Sequence, residues 1–168
     1  MNYEPGTLIV LIGGSGAGKT TYATKHWPGS WRLNLDSYRA MATDTEADQS
    51  ATPVADQVQT LLLDARLSRN LTTVVDNTDL MPHVRAGLLA RARYWQRPAA
   101  ALLFTAPLQL CRERNAARDR VVPDHVLVEQ HRLLPTAEQL LGEGFAHVEE
   151  IRVGDDTGMS DDPTGVWT

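Results

Sequence analysis

The 168-residue chain holds a single cysteine, Cys111, so no internal disulfide can form. Cys111 falls in a segment with helical character and reads as a small core residue rather than a reactive thiol. None of the five histidines (His26, His83, His125, His131 and His147) makes a metal-ligand spacing with it. No apolar stretch is long enough to span a bilayer. The N-terminal Met1-Asn2-Tyr3-Glu4-Pro5-Gly6 lacks a basic run leading into an apolar signal core. With one thiol and neither span nor leader, the expectation is a cytoplasmic protein without a membrane partner. An excess of positive charge is missing too. The formal net charge is −5, which argues against coating long duplex DNA, where many phosphates must be contacted.

The hydrophobic fraction of 42% and the charged fraction of 22% are ordinary for a globular chain. The length suits one domain with a core that needs no staple. The charge is uneven. The segment 154–168 carries Asp155, Asp156, Asp161 and Asp162 and no Lys or Arg. It reads as an acidic, loosely packed C-terminal tail behind a domain spanning 1–153. Arg112, Arg114, Arg118 and Arg120 crowd a second segment. A nearly neutral body with such a cluster suits the end of a strand better than its length.

Hydrophobic patterning alternates strand and helix. Strands are expected at Thr7–Ile12, Trp31–Leu35, Leu71–Val75, Ala99–Phe104 and Val148–Val153. Helices are expected at Lys19–His26, from Asp36, and at Val54–Leu67, with Val54, Val58, Leu61, Leu62 and Ala65 on one face. Further helices follow at Pro82–Trp95, Leu108–Ala117, Pro123–Leu134 and Thr136–Leu141. Residues 42–52 read as a polar loop. Trp27 and Trp31 read as packing residues. The order predicts an α/β fold: a parallel sheet of the P-loop NTPase type, flanked by helices on both faces.

Gly13-Gly14-Ser15-Gly16-Ala17-Gly18-Lys19-Thr20 matches G-x-x-x-x-G-K-[ST]. Small residues let the backbone wrap closely around phosphates with its N–H groups turned inward, and the following helix adds its positive dipole end. Lys19 reaches β- and γ-phosphates, and the Thr20 hydroxyl is placed to ligate Mg²⁺. A chance glycine turn is the plainer explanation. An apolar strand just before the motif and a helix just after it are the context that explanation lacks.

Two carboxylates end strands beside this loop. Asp36, in Leu33-Asn34-Leu35-Asp36-Ser37-Tyr38-Arg39, is either a general base for an attacking hydroxyl or only a helix N-cap. Arg39 lies one turn on, where it can grip an anionic part of an acceptor. Asp76, ending Val74-Val75-Asp76, stands where a magnesium-bound water is held in many P-loop proteins. Thr78 follows, within reach of an acceptor. Asn77 and Asp79 read equally well as turn residues capping the next helix.

In Cys111-Arg112-Glu113-Arg114-Asn115-Ala116-Ala117-Arg118-Asp119-Arg120, Arg114 and Arg118 are four apart and share a helix face. Alone, such a run is a solvated, salt-bridged surface. Opposite a phosphate loop, Arg114 and Arg118 read as a lid that closes on a triphosphate; Arg112 and Arg120 stay with the surface reading. Val122 and Val126, one turn apart, form either an apolar clamp or part of the core.

In sum the chain resembles the polynucleotide 5′-hydroxyl kinase family, as in the kinase domain of phage polynucleotide kinase and the kinase module of bacterial end-healing polynucleotide kinase-phosphatases. The resemblance runs from about Leu8 to Val153. It rests on Gly13–Thr20, Asp36–Arg39, Asp48-Gln49-Ser50, Val74–Thr78, the E-R-N-x-x-R run Glu113–Arg118 ahead of a V-P-x-x-V helix, and Glu143-Gly144-Phe145. It implies an enzyme using Mg²⁺ and ATP or another NTP to phosphorylate 5′-OH ends of RNA or DNA. Gly14, Ser15, Gly16, Ala17, Gly18, Lys19 and Thr20 would then bind the donor, with Arg114 and Arg118 contacting its phosphates. Asp36 would be the base. Arg39, Thr78, Val122 and Val126 would hold the acceptor. Two other readings stand beside it: a kinase of a small hydroxyl compound such as a sugar or an antibiotic, and a non-catalytic nucleotide-binding module.

Overall fold

Five consecutive apolar residues, Leu8–Ile12, form β1, and none exposes any surface. A strand buried on both faces belongs in the middle of a parallel sheet, and β1 is found there. In the computed structural model, which describes residues 3–118 and 120–154, β1 pairs with β3 (Thr73–Asp76) on one side and β4 (Ala99–Thr105) on the other. The short β2 (Arg32–Leu33) and β5 (His147–Arg152) form the edges, giving the order β2-β3-β1-β4-β5 with every pairing parallel. The α/β, P-loop type of sheet expected from the sequence is therefore present. All strands end at one edge, where ligands of open α/β sheets bind.

Helices cover both faces. On one, α2 (Leu35–Thr43), α3 (Thr52–Leu67), α4 (Pro82–Tyr94) and α7 (Ala137–Glu143) pack on Leu8, Val10, Ile12, Val75 and Leu103. On the other, α1 (Lys19–His26) and α5 (Leu108–Ala116) pack on Ile9, Leu11, Val74, Leu102 and Phe104. Cys111 and Trp27 are buried in this second cluster, and Trp31 packs against it. The helix α6 (Asp124–Arg132) lies against α5, and Pro123 is its N-cap rather than part of its first turn. No helix among the described residues is long and apolar enough to cross a membrane. The acidic tail lies outside the described residues except for Gly154.

Several boundaries differ from the sequence expectation. The second strand keeps only two residues, because Gly29–Trp31 turns as a 3₁₀ segment and Asn34 already caps α2. Its Oδ1 accepts from Ser37 N at 2.9 Å; Asp36 is thus a first-turn residue, and the N-cap alternative for it is wrong. The loop at 42–52 is shorter than expected. The helix α2 runs to Thr43, a 3₁₀ turn spans Gln49–Ala51, and α3 opens at Thr52.

The apolar face that periodicity picks out in α3 is not the one that is buried. Ala55, Gln59, Leu63 and Leu67 are buried, whereas Val54, Val58, Leu61 and Leu62 are exposed. The helix carries two apolar stripes, and the one with the small Ala55 and the hydrogen-bonding Gln59 turns inward.

One ion pair ties α4 to α7. Arg85, 2% exposed, donates from Nε and Nη2 to the two carboxylate oxygens of Glu143 at 2.7 and 2.5 Å. Its Nη1 donates to the carbonyls of Asp79 and Leu80 at 3.0 and 2.6 Å, fixing the loop after β3. Removing one partner of a buried pair leaves an uncompensated charge. Glu143→Ala should therefore cost about 2–4 kcal/mol, discounted from the fully buried case because Glu143 keeps 26% exposure. Thermal unfolding should shift down by roughly 4–16 °C. Arg85→Met combined with Glu143→Ala should recover part of the loss; a single variant that melts with the parent refutes this role for the pair.

Candidate functional site

The loop between β1 and α1 is shaped by two left-handed glycines. Gly18, at φ 92°, caps α1. Gly16, at φ 82°, leaves no room for a side chain, since a Cβ there would stand 2.7 Å from the Cys111 carbonyl. The loop start is tied to β3 by Gly13 N donating to Thr78 O at 3.1 Å. Within it the Lys19 ammonium is buried and donates to the carbonyls of Gly13 and Gly14 at 2.7 and 2.8 Å. Burial pulls its pKa down to about 8, against the raising pull of the Asp76 and Asp79 carboxylates.

Thr20, the next residue, donates from Oγ1 to Asp76 Oδ1 at 3.2 Å. Asp76 is 2% exposed, and burial raises its carboxyl despite that hydrogen bond and the nearby Lys19. A hydroxyl and a carboxylate turned to one point beside a phosphate loop fit Mg²⁺, which takes few protein ligands and completes its shell with water and phosphate oxygens.

The wall opposite is α2. Asn34 Nδ2 donates to Asp76 O at 2.6 Å, and Leu35 N donates to Asn77 Oδ1 at 3.0 Å. These bonds fasten the first turn of α2 to the end of β3. Asp36 stands on that turn with its side chain half exposed, and Arg39 Nη2 ion-pairs with its Oδ1. Arg39 is itself buried and donates from Nε to Glu46 O at 3.0 Å. Lys19, Thr20, Asp36, Arg39, Asp76 and Thr78 all line one cleft of about 1020 Å³. Val122, Val126 and Arg118 line it from the lid side.

The arginine run divides. Arg112 is bound outward to Asp124, Nε to Oδ1 at 2.6 Å, which is the surface role expected of it. Arg114 Nη1 donates to Gly16 O at 3.3 Å, against the loop backbone. Arg118 is exposed to the cleft. Arg120, expected at the surface with Arg112, instead lines the cleft and donates to Glu46 O at 3.2 Å. Of the donor-loop residues, Ser15, Gly16, Gly18, Lys19 and Thr20 line the main cleft, while Gly14 and Ala17 face a small cavity under α5 and α6.

Three contributors escaped the sequence reading. Asn115, 4% exposed, clamps the loop between α5 and α6: Oδ1 accepts from Val122 N at 2.9 Å and Nδ2 donates to Val122 O at 2.8 Å. Gln130 Oε1 accepts from Ser15 N at 2.8 Å, joining α6 to the phosphate loop. Its spacing of four from Val126 was the available signal. Gln59 Oε1 accepts from Asn77 Nδ2 at 3.0 Å.

Asp79, offered by the sequence as a site or a turn residue, is buried at φ 45°, and its Oδ2 has no partner among the described residues. Burial pushes its carboxyl up to about 7, against Lys19, a hydrogen bond from Asn77 and Arg85. The folded protein then holds a proton that the unfolded chain, at its ordinary 3.8, has released. Stability should fall as pH rises through that window. Asp79→Asn should flatten the slope, checked by urea unfolding at pH 5 and pH 7.5; a slope equal to the parent's rules Asp79 out as its source.

Comparison with known proteins agrees with this architecture. A family model described as an AAA domain matches residues 8–136. Among solved structures, a chain of the Pnkp1/Rnl/Hen1 RNA repair complex superposes with TM-score 0.65 at 19% identity, covering 86% of this chain and 47% of that one. The chain thus spans about half the length of that relative. A gluconokinase from Sinorhizobium meliloti 1021 gives TM-score 0.54 at 17% identity over 91% of this chain and 86% of the other. A putative kinase from Chloroflexus aurantiacus j-10-fl gives 0.66 at 14% identity over 87% of each. Comparison of the sequence with curated proteins yields no significant match. The P-loop fold expected from the sequence is shared with these neighbours, and with most of its length under one family model the chain belongs to the AAA domain family.

Proposed function

We propose that the protein is a polynucleotide kinase, transferring the γ-phosphate of ATP or another NTP to the 5′-hydroxyl end of RNA or DNA. The observation that carries this reading is the pairing of Asp36 with Arg39 across one cleft from Lys19 and Thr20. A proton acceptor and a guanidinium sit together on the acceptor wall, facing a phosphate cradle. Val122 and Val126 line the same cleft and offer an apolar slot for a terminal base.

In this reading Lys19 and the inward N–H groups hold the β- and γ-phosphates. Thr20, with Asp76 through water, would hold Mg²⁺, which supplies charge neutralisation at those phosphates. Asp36 accepts the proton of the 5′-hydroxyl as its oxygen bonds to the γ-phosphorus. The bond from that phosphorus to the β–γ bridging oxygen breaks, and the nucleoside diphosphate leaves. Arg118 balances charge on the moving phosphoryl group, Arg114 braces the donor loop, and Arg39 holds the phosphate next to the terminal nucleoside.

A small-molecule kinase is the competing reading, and it has its own support. A gluconokinase and a sugar kinase from Janibacter sp. HTCC2649 share the fold, the latter with TM-score 0.56 at 20% identity. The acceptor wall speaks for a strand instead: an anionic sugar acid such as gluconate can use the guanidinium, but a polyhydroxyl compound carries no flat base to place between Val122 and Val126. Supplying γ-labelled ATP with a 5′-hydroxyl oligonucleotide, gluconate and a panel of small alcohols decides between them. Label at the strand end is expected; label on small alcohols alone rejects the proposal.

A further inference from the structure

The acceptor wall holds more positive charge than one terminal phosphate requires. Arg39 comes from α2 and Arg120 from the lid, yet both donate to one oxygen, the Glu46 carbonyl, at 3.0 and 3.2 Å. Glu46 contributes its neutral carbonyl there; among the described residues its carboxylate pairs with neither arginine. Arg39 is balanced by Asp36. Arg120 has no carboxylate partner among the described residues. Two guanidinium groups drawn to a single neutral acceptor repel one another, and an anion between them relieves that repulsion. Both line the cleft. Their position follows the chain: Arg39 lies one helical turn beyond Asp36 on α2, and Arg120 meets Arg39 at Glu46, in the loop that follows α2.

We propose that Arg120, converging with Arg39 on the Glu46 carbonyl, forms a second acceptor subsite that binds an internal phosphodiester of the strand, beyond the phosphate held by Arg39. The inference rests on the polynucleotide reading and deepens it, because it makes a strand of at least two phosphates the preferred acceptor. A nucleoside 3′-monophosphate fills the Arg39 position and leaves Arg120 without a partner. An oligonucleotide fills both.

The test compares kcat/KM for a 5′-hydroxyl hexanucleotide with that for a nucleoside 3′-monophosphate, in the parent protein, Arg120→Gln and Arg120→Lys. The ratio of the two constants should fall about tenfold in Arg120→Gln, as expected when one charge-assisted contact is lost, and recover in part in Arg120→Lys. The salt dependence of oligonucleotide use should also flatten, by about 0.7 in the log–log slope for one single-strand phosphate contact. Damage to the fold or the lid lowers both constants together and leaves the ratio where it was; that result, or a ratio that rises, overturns the subsite. Failure of the parent protein to label any strand is a different outcome, visible before any variant is made, and it removes the polynucleotide reading and the subsite together.

Discussion

Asp36→Asn should bind ATP like the parent and lose phosphoryl transfer, with kcat falling about 100- to 10,000-fold. The substitution keeps size, and the amide oxygen can still accept from Arg39. What it removes is a site for the proton of the attacking hydroxyl. In the parent, Arg39 Nη2 occupies Oδ1, so Oδ2 is the oxygen left for the acceptor. The bonds that fasten α2 to β3, from Asn34 and Leu35, do not involve Asp36, and the wall should stay in place. Single-turnover transfer of label, measured beside equilibrium nucleotide binding, separates the two effects. Transfer retained within tenfold of the parent would eliminate Asp36 as the base.

Arg118→Ala carries the second large expectation, a loss in kcat of about a thousandfold with only a modest change in donor affinity. The two lid arginines are not equivalent. Arg114 is engaged with the Gly16 carbonyl, so its loss should loosen the loop and act mainly on donor binding. Arg118 is exposed to the cleft. A guanidinium without a fixed ground-state partner contributes most where new negative charge develops, which is the transition state. Steady-state kinetics of both variants should therefore split, Arg118→Ala in kcat and Arg114→Ala in the KM for ATP. A loss confined to KM in Arg118→Ala would contradict the assignment.

How much could be read from the chain beforehand depended on how local each signal was. The central strands were plain because β1 and β4 are apolar on both faces, and the phosphate loop because its glycines and Lys19 are contiguous. The edge strand β2 was overestimated: Trp31 and Leu35 look like strand residues, but Asn34 between them starts a helix by capping it. In α3 two apolar stripes competed, and periodicity cannot choose between them. The buried stripe is the one with Gln59, whose partner Asn77 lies in the loop after β3. Arg85 and Glu143 are 58 positions apart, and nothing near either announces the other. Arg120 is misjudged for the same reason: its partner, Glu46, lies 74 positions away in the loop after α2. Asn115 stood inside a motif already noted, yet its grip on both backbone groups of Val122 is a fact of the turn and not of the spacing.

The hold of Lys19 on the Gly13 and Gly14 carbonyls braces the loop from within. A buried ammonium already bonded inside the loop acts as an internal template, keeping the glycine turn near the curvature that a chain of phosphates demands. Under the proposed function a triphosphate would exchange one set of Lys19 partners for another around a fixed nitrogen, leaving the backbone little to reorganise.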